Sequence, residues 1–409
     1  MPRLLVALAA GAALFGSHTL AADTEWLSTW SSSQYVDKNA ALPDSDFTDA
    51  TLRQIVHISV GGETIRVHIS NQVGSAPLKI DSVHIALAET PKGAKIKAGT
   101  DHALTFAGQP SVIIPQGGEY ISDPIKLSVP ALSSLAISLY VAQAPAVQTS
   151  HPGSRATSYA VHGNHVGDAD LESPKTFEHW YQISAVDVPM PAGGAAIVAL
   201  GDSITDGRGV TTDGDNRWTD RLSERLQENP KTKMLAVLNQ GIGGNRILND
   251  GNATNALARF NADVIAQIGA RYLIILEGIN DLGTLTRDAP VSAEAHAQLV
   301  ARIIGAYSQM IDRAHAHGIK VMGATILADG ASGYYHPDAQ NEADRAAINA
   351  WIKAPGHFDA YVDFDAVTRD PADPKKMRAD FDVGDGLHPN PAGYKAMGDA
   401  IPLSFFEGK

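Results

Sequence analysis

The sequence predicts an α/β chain in two parts: an antiparallel β-sandwich or jelly roll, then a parallel three-layer α/β/α sheet. Three observations predict this. Between Thr51 and Val141, short segments alternate apolar and polar residues with period two. From Ala195 onward, apolar strands alternate with amphipathic helices, the mark of βα units and a parallel sheet. Between the two lies Val-Asp-Val-Pro-Met-Pro-Ala-Gly-Gly, residues 186–194, where Pro and Gly concentrate and the period changes.

The chain opens with Arg3, an apolar run from Leu4 to Phe15, and small residues at Ala21 and Ala22. That order reads as a secretory signal peptide over residues 1–22, cleaved near Ala22. The apolar run is too short to span a bilayer. The expected organisation is therefore a signal peptide at 1–22, a β-sandwich accessory domain at 24–186, a linker at 187–194 and an α/β domain at 195–409. The destination is the periplasm or the extracellular medium.

In the β part, Thr64–Ser70 places Ile65, Val67 and Ile69 on one face and Arg66, His68 and Ser70 on the other. The alternation recurs at Ser82–Leu87, Ile125–Val129 and Leu135–Val141, with Asn71, Gly74, Pro91, Gly117, Gly118 and Pro130 between. In the second part, the strands are Ala195–Leu200, Met234–Leu238, Tyr272–Leu276, Ile319–Thr325 and Tyr361–Phe364. Helices are expected over Ala253–Ile268, with Leu257, Phe260, Val264 and Ile268 on one face, and over Val291–His317, Ala339–Ile352 and Pro391–Ala400.

Composition narrows the function. The chain carries 32 Lys and Arg against 45 Asp and Glu, a net charge of −13. That argues against nucleic-acid partners and against stable membrane insertion or binding to anionic bilayers. There are no cysteines, so disulfides, thiolate nucleophiles and cysteine-ligated metals are excluded.

Four stretches carry the chemistry: Gly201-Asp202-Ser203, Asn239-Gln-Gly241-Ile-Gly243-Gly244-Asn245-Arg246, Gly278-Ile-Asn280-Asp281, and Asp385-Gly-Leu-His388-Pro389. Each follows a predicted strand or sits in a loop near the C-terminus. Ser203 is a hydroxyl in need of a base, beside the positive end of the helix it opens. His388 can take and return a proton near neutrality. Asp385, three residues earlier, can reach the other ring nitrogen and hold its tautomer. The N–H groups of Ser203 and Gly244 and the side-chain amide of Asn280 can stabilise an oxyanion. Taken singly, a Gly-Asp-Ser is also a helix cap, with Asp202 the capping residue, and the glycine run is also a loop. That run lacks the dinucleotide-binding spacing. Asp-x-x-His is half a metal site at most, and His315 and His317 are two apart and face different sides. Asp213-Gly-Asp215-Asn216 shares only composition with a calcium loop. Neither a cofactor nor a metal is expected. Substrate contacts are expected from Arg246 and from Tyr334 and Tyr335, in a glycine-containing loop after the fourth strand.

In order and together, the four stretches resemble the signature blocks of the GDSL, or SGNH, hydrolase superfamily, over about residues 195–405. The resemblance implies a flavodoxin-like α/β/α sheet, no cofactor, and ester hydrolysis through an acyl-enzyme. Ser203, Asp385 and His388 match its catalytic residues, and Ser203, Gly244 and Asn280 its oxyanion hole. The first block reads Gly-Asp-Ser-Ile, with Ile204 where the family has Leu, a volume-conserving change. The β part before it is similar to that of secreted members such as xylan acetylesterases. The expected function is a secreted serine esterase acting on short acyl esters, acetyl first, of a small molecule or polysaccharide. A lipase or lysophospholipase and a carbohydrate-binding protein on a non-catalytic α/β scaffold are the alternatives.

Overall fold

The computed structural model describes residues 24–36 and 44–407. The signal peptide expected at 1–22 lies outside the described residues. Among them, no helix is long and apolar enough to cross a membrane.

The N-terminal part is built from two larger antiparallel sheets. One orders Trp26–Ser31, Ile183–Pro189, Gly62–Ser70 and Glu119–Ile121, with Ile125–Val129 also paired to Gly62–Ser70. The other orders Lys175–Phe177, Ser158–His162, Ala50–His57, Ser134–Val141, Ser82–Leu87 and His102–Ala103. The period-two face holds as read: Ile65, Val67 and Ile69 are fully buried. The Ile183–Pro189 strand pairs with Trp26–Ser31 as far as Pro189. Residues 187–189 of the expected linker are therefore strand, and 190–194 alone make the crossing.

The opposite face of Gly62–Ser70 was expected to be polar, yet His68 on it is buried. Its Nε2 lies 2.7 Å from Asp187 Oδ2 and its Nδ1 2.9 Å from Glu119 Oε1. Asp187 also accepts from Ser28 Oγ at 2.7 Å and Arg66 Nε at 2.8 Å, so one carboxylate ties three neighbouring strands. Burial alone would lower the His68 pKa, but its bonds to Asp187 and Glu119 outweigh burial and raise it to about 9. A raised pKa stabilises the fold fully below the unfolded value of about 6.5 and is lost as pH rises through 9. The loss is roughly 3 kcal/mol. Thermal midpoints should therefore fall between pH 7 and 9.5, and His68→Gln should remove most of that fall. An unchanged slope in the variant would contradict the assignment.

The second part is a five-stranded parallel sheet ordered Leu235–Gly241, Ala195–Gly201, Ala270–Leu276, Lys320–Ala324, Ala360–Val362. Its first strand in sequence thus lies between the second and third. Connections leave that strand's neighbours in opposite directions, and the crevice so formed lies beyond its carboxyl end, where doubly wound sheets bind ligands. Residues Ala196–Leu200 are fully buried, as expected for a strand covered on both faces.

Two helices differ from expectation. The helix expected to open at Ser203 is a single turn, Ser203–Asp206, and the longer helix before the second strand is Trp218–Glu228. The segment read as one helix over 253–268 is Ala256–Phe260 followed by a π turn at Asn261–Ile265. Asn255 sets the late start, its side chain accepting from the Ala258 N–H at 3.0 Å.

The two parts share one apolar core that runs from Leu27 to Phe406. Trp26–Ser31 packs on Leu235–Gly241. Polar bonds fasten the seam: Ser33 Oγ donates to Gln240 Oε1 at 2.6 Å, Gln240 Nε2 to Ser31 Oγ at 2.7 Å, and the Val237 N–H to Ser59 Oγ at 3.1 Å.

Candidate active site

The Ala195–Gly201 strand delivers Asp202 and Ser203 to the crevice. Asp202 caps the single turn Ser203–Asp206, accepting from the Ile204 N–H at 2.8 Å. Gly201 is required by space rather than by its dihedral angles. A Cβ there would lie 2.0 Å from Thr205 Oγ1 and 2.9 Å from the Leu276 carbonyl. As first residue of the turn, Ser203 keeps its N–H free of an intrahelical acceptor.

The Ser203 hydroxyl lies 2.9 Å from His388 Nε2, and His388 Nδ1 lies 2.7 Å from Asp385 Oδ2. Asp385 also accepts from the backbone N–H groups of Leu387 and His388, at 3.0 and 2.9 Å. Burial raises its pKa, but those bonds and the charge of His388 hold the carboxyl below its ordinary range. Burial lowers the His388 pKa. Asp385 opposes that shift, while Arg208 and Arg155 add to it. The imidazole is therefore neutral at pH 7, the form that accepts a proton.

Gly244 sits in the same cleft at φ +74°, a left-handed conformation that favours glycine. Its N–H has no acceptor among the described residues. Asn280, buried, donates one amide hydrogen to the Asn245 carbonyl at 2.7 Å and accepts from the Tyr335 hydroxyl at 2.6 Å. Its second amide hydrogen remains for the cleft.

Other expected contacts divide. Arg246 lines the cleft, with its guanidinium donating to the Asp250 carbonyl. Tyr334 is exposed and accepts from Arg287 Nη1 at 3.0 Å. Tyr335 offers no stacking face to a sugar. It is 4% exposed, and its ring packs on Gly283, where a Cβ would meet it at 2.3 Å. Its hydroxyl instead holds the Asn280 amide in place. Asp213, in the calcium-like loop, accepts from the Thr157 N–H and hydroxyl, which ties that loop to the β part.

Several residues to which the sequence reading gave no role hold the site's frame. Arg259, between Ala258 and Phe260, reaches beneath the crevice. It donates to the carbonyls of Gly201 at 2.9 Å and Gln240 at 2.7 Å and to Asn245 Oδ1 at 2.9 Å. It thus joins the ends of the two strands that carry Ser203 and Gly244. Asp281 accepts from the Ile247 and Leu248 N–H groups, at 2.8 and 3.1 Å, and holds the loop after Gly244. His151, from the β part, contacts Asp206 Oδ1 at 2.9 Å.

Residues 199–396 match the sequence model of the GDSL-like lipase/acylhydrolase family. This stretch is a GDSL-like lipase/acylhydrolase domain. All four signature stretches fall inside it. Among solved structures, this chain is similar to a GDSL-like lipase from Bacteroides thetaiotaomicron VPI-5482, at 21% identity over 53% of this chain and 91% of that one, TM-score 0.38. It is also similar to an acetyl xylan esterase from Geobacillus stearothermophilus, at 20% identity over 52% and 95%, TM-score 0.35. A third is the acetyl xylan esterase AlAXEase, at 18% identity over 50% and 96%, TM-score 0.38. A search of curated proteins finds no match to this chain. The cleft at the end of Ala195–Gly201 is lined by residues of the 199–396 stretch, save Arg155 from the β part.

Proposed function

We propose that this protein is an exported serine esterase that removes short acyl groups, acetyl first, from a carbohydrate. The observation that carries the reading is the chain Ser203–His388–Asp385, at 2.9 and 2.7 Å, in a cleft where Gly244 and Asn280 hold unused donors. His388 Nε2 takes the proton of Ser203 as its Oγ attacks the ester carbonyl. The oxyanion is held by the N–H groups of Ser203 and Gly244 and by Asn280 Nδ2. The carbon–oxygen bond to the alcohol breaks, and the alcohol leaves with the proton from His388. Water then attacks the acyl-serine, giving its proton to His388, and the acid departs as Ser203 regains a proton. Asp385 keeps Nδ1 protonated throughout.

In this reading, residues 24–186 are a β-sandwich accessory domain that braces the GDSL-like domain, and residues 1–22 direct export. The cleft, about 950 Å³, has room for a sugar as well as an acetyl group. A chain-length series tests the substrate class. On p-nitrophenyl esters, kcat/KM should fall by roughly tenfold or more from acetate to decanoate, and acetylated xylan should release acetate. Preference for decanoate would favour a lipase. Turnover of neither ester would favour a non-catalytic scaffold.

A further inference from the structure

The acidic chain gathers cations at this cleft. Arg155, Arg208, Arg246 and Arg287 all line it, in a protein of net charge −13. Arg287 is engaged by Asp288 at 3.2 Å and by Tyr334, and Arg246 by the Asp250 carbonyl. The other two are less satisfied. Arg208 is exposed, and its guanidinium has no hydrogen-bond or carboxylate partner among the described residues. Its backbone is nonetheless pinned on both sides. Its N–H donates to the Ser203 carbonyl at 2.8 Å, and its carbonyl accepts from Tyr394 Oη at 2.6 Å. A free guanidinium on a fixed stem suits recognition, because little backbone order remains to be lost on binding.

Arg155 comes from the β part and lines the same cleft as Arg208. Its backbone is left-handed, at φ +55°, a conformation rare outside glycine. Asp213 holds it there, its N–H donating to the Arg155 carbonyl at 2.9 Å. The nearest carboxylate is Asp206 Oδ2, 3.7 Å from Nη2, an ion pair beyond hydrogen-bond length. The Arg155 Nε is buried with no hydrogen-bond partner among the described residues. Opposing carboxylates in the cleft are already occupied. Asp385 serves His388, and Asp382 accepts from the N–H groups of Gly384, Asp385 and Gly386.

Both guanidiniums lie close enough to His388 to disfavour its charged form. In the mechanism proposed above, on which this step rests, His388 protonates the leaving alcohol. The alcohol half of the ester must therefore sit on the His388 side, against Arg155 and Arg208. We infer that these two arginines bind an anionic group on the alcohol, so that the preferred substrate is an O-acylated acidic saccharide. A carboxylate or a phosphate on the sugar would satisfy the same forked donors.

The test is acetate release from three esters: fully acetylated glucuronic acid, its methyl ester, and an acetylated glucose phosphate. The methyl ester differs from the first only by the charge. The ratio of kcat/KM for the glucuronate over its methyl ester should be roughly tenfold or more, carried mainly by KM. Arg208→Gln should cut that ratio by about tenfold, and 0.5 M salt should narrow it. The phosphate arm shows which anion the site prefers. Arg155→Gln is the second variant, with its thermal midpoint recorded. A ratio near or below one for both anions, or a ratio that neither substitution moves, would overturn the inference. Ser203-dependent turnover of p-nitrophenyl acetate alongside that result would leave the esterase reading standing. A wild-type chain inert on every ester would overturn both.

Discussion

Ser203→Ala should abolish ester turnover, lowering kcat by about 10⁴-fold or more, while shifting the thermal midpoint by no more than about 2 °C. The two effects separate because of what the hydroxyl touches. Its side-chain bond is to His388 Nε2, and it lines the cleft rather than the core. Removing it leaves Asp385 bonded to His388 and the Asp202 cap on the Ile204 N–H in place. The fold therefore loses one part-buried hydrogen bond, worth about 1 kcal/mol. The proposed reaction loses its nucleophile, and no other hydroxyl is bonded to His388 among the described residues. Initial rates on p-nitrophenyl acetate and a melting curve on the same sample check both halves. An alanine variant with substantial activity would make Ser203 the wrong nucleophile.

The second large effect is expected at Asn280. In the proposed mechanism Asn280→Ala removes one of the oxyanion's donors, and it should lower kcat by roughly 10²–10³-fold with a smaller change in KM. It also strands the Tyr335 hydroxyl and the Asn245 carbonyl, which bond to the amide at 2.6 and 2.7 Å, so a stability loss of about 1–3 kcal/mol accompanies it. Asn280→Asp separates the two roles. The carboxylate keeps the acceptor for Tyr335 but places negative charge where the oxyanion forms. Activity should fall at least as far as in the alanine variant, whereas a role limited to holding the Tyr335 hydroxyl would be rescued. Tyr335→Phe should cost less than either, because the amide donor survives and only its orientation loosens. Single-turnover kinetics with matched melting curves would show the order.

The five parallel strands were legible because each is a buried apolar run, and the helices Ala293–Ala316, Ala339–Lys353 and Pro391–Ala400 because their apolar residues recur at helical spacing, whereas Trp218–Glu228 was not. The four signature stretches were legible because they follow strand ends in a fixed succession. What stayed hidden lacks a local pattern. Arg259 is one arginine among apolar neighbours, and only the packed sheet reveals that it gathers the Gly201 and Gln240 carbonyls. Tyr334 and Tyr335 are adjacent and chemically alike, so sequence treats them as a pair. The loop turns one outward to 59% exposure and buries the other at 4%. His68 stands on the alternating polar face of its strand, yet Glu119 and Asp187 close over it from distant segments. Arg155 belongs to the other part of the chain altogether. Its presence beside His388 depends on the seam between the two sheets, to which no single segment points.

Covalent capture tests the central claim most directly. Incubation with a p-nitrophenyl phosphonate, followed by intact-mass and peptide mass spectrometry, should show one adduct per chain. That adduct should sit on Ser203, form at a rate that falls in His388→Ala, and be absent from Ser203→Ala. An adduct on a different residue, or none from a chain that still hydrolyses p-nitrophenyl acetate, would contradict attack by the Ser203 hydroxyl.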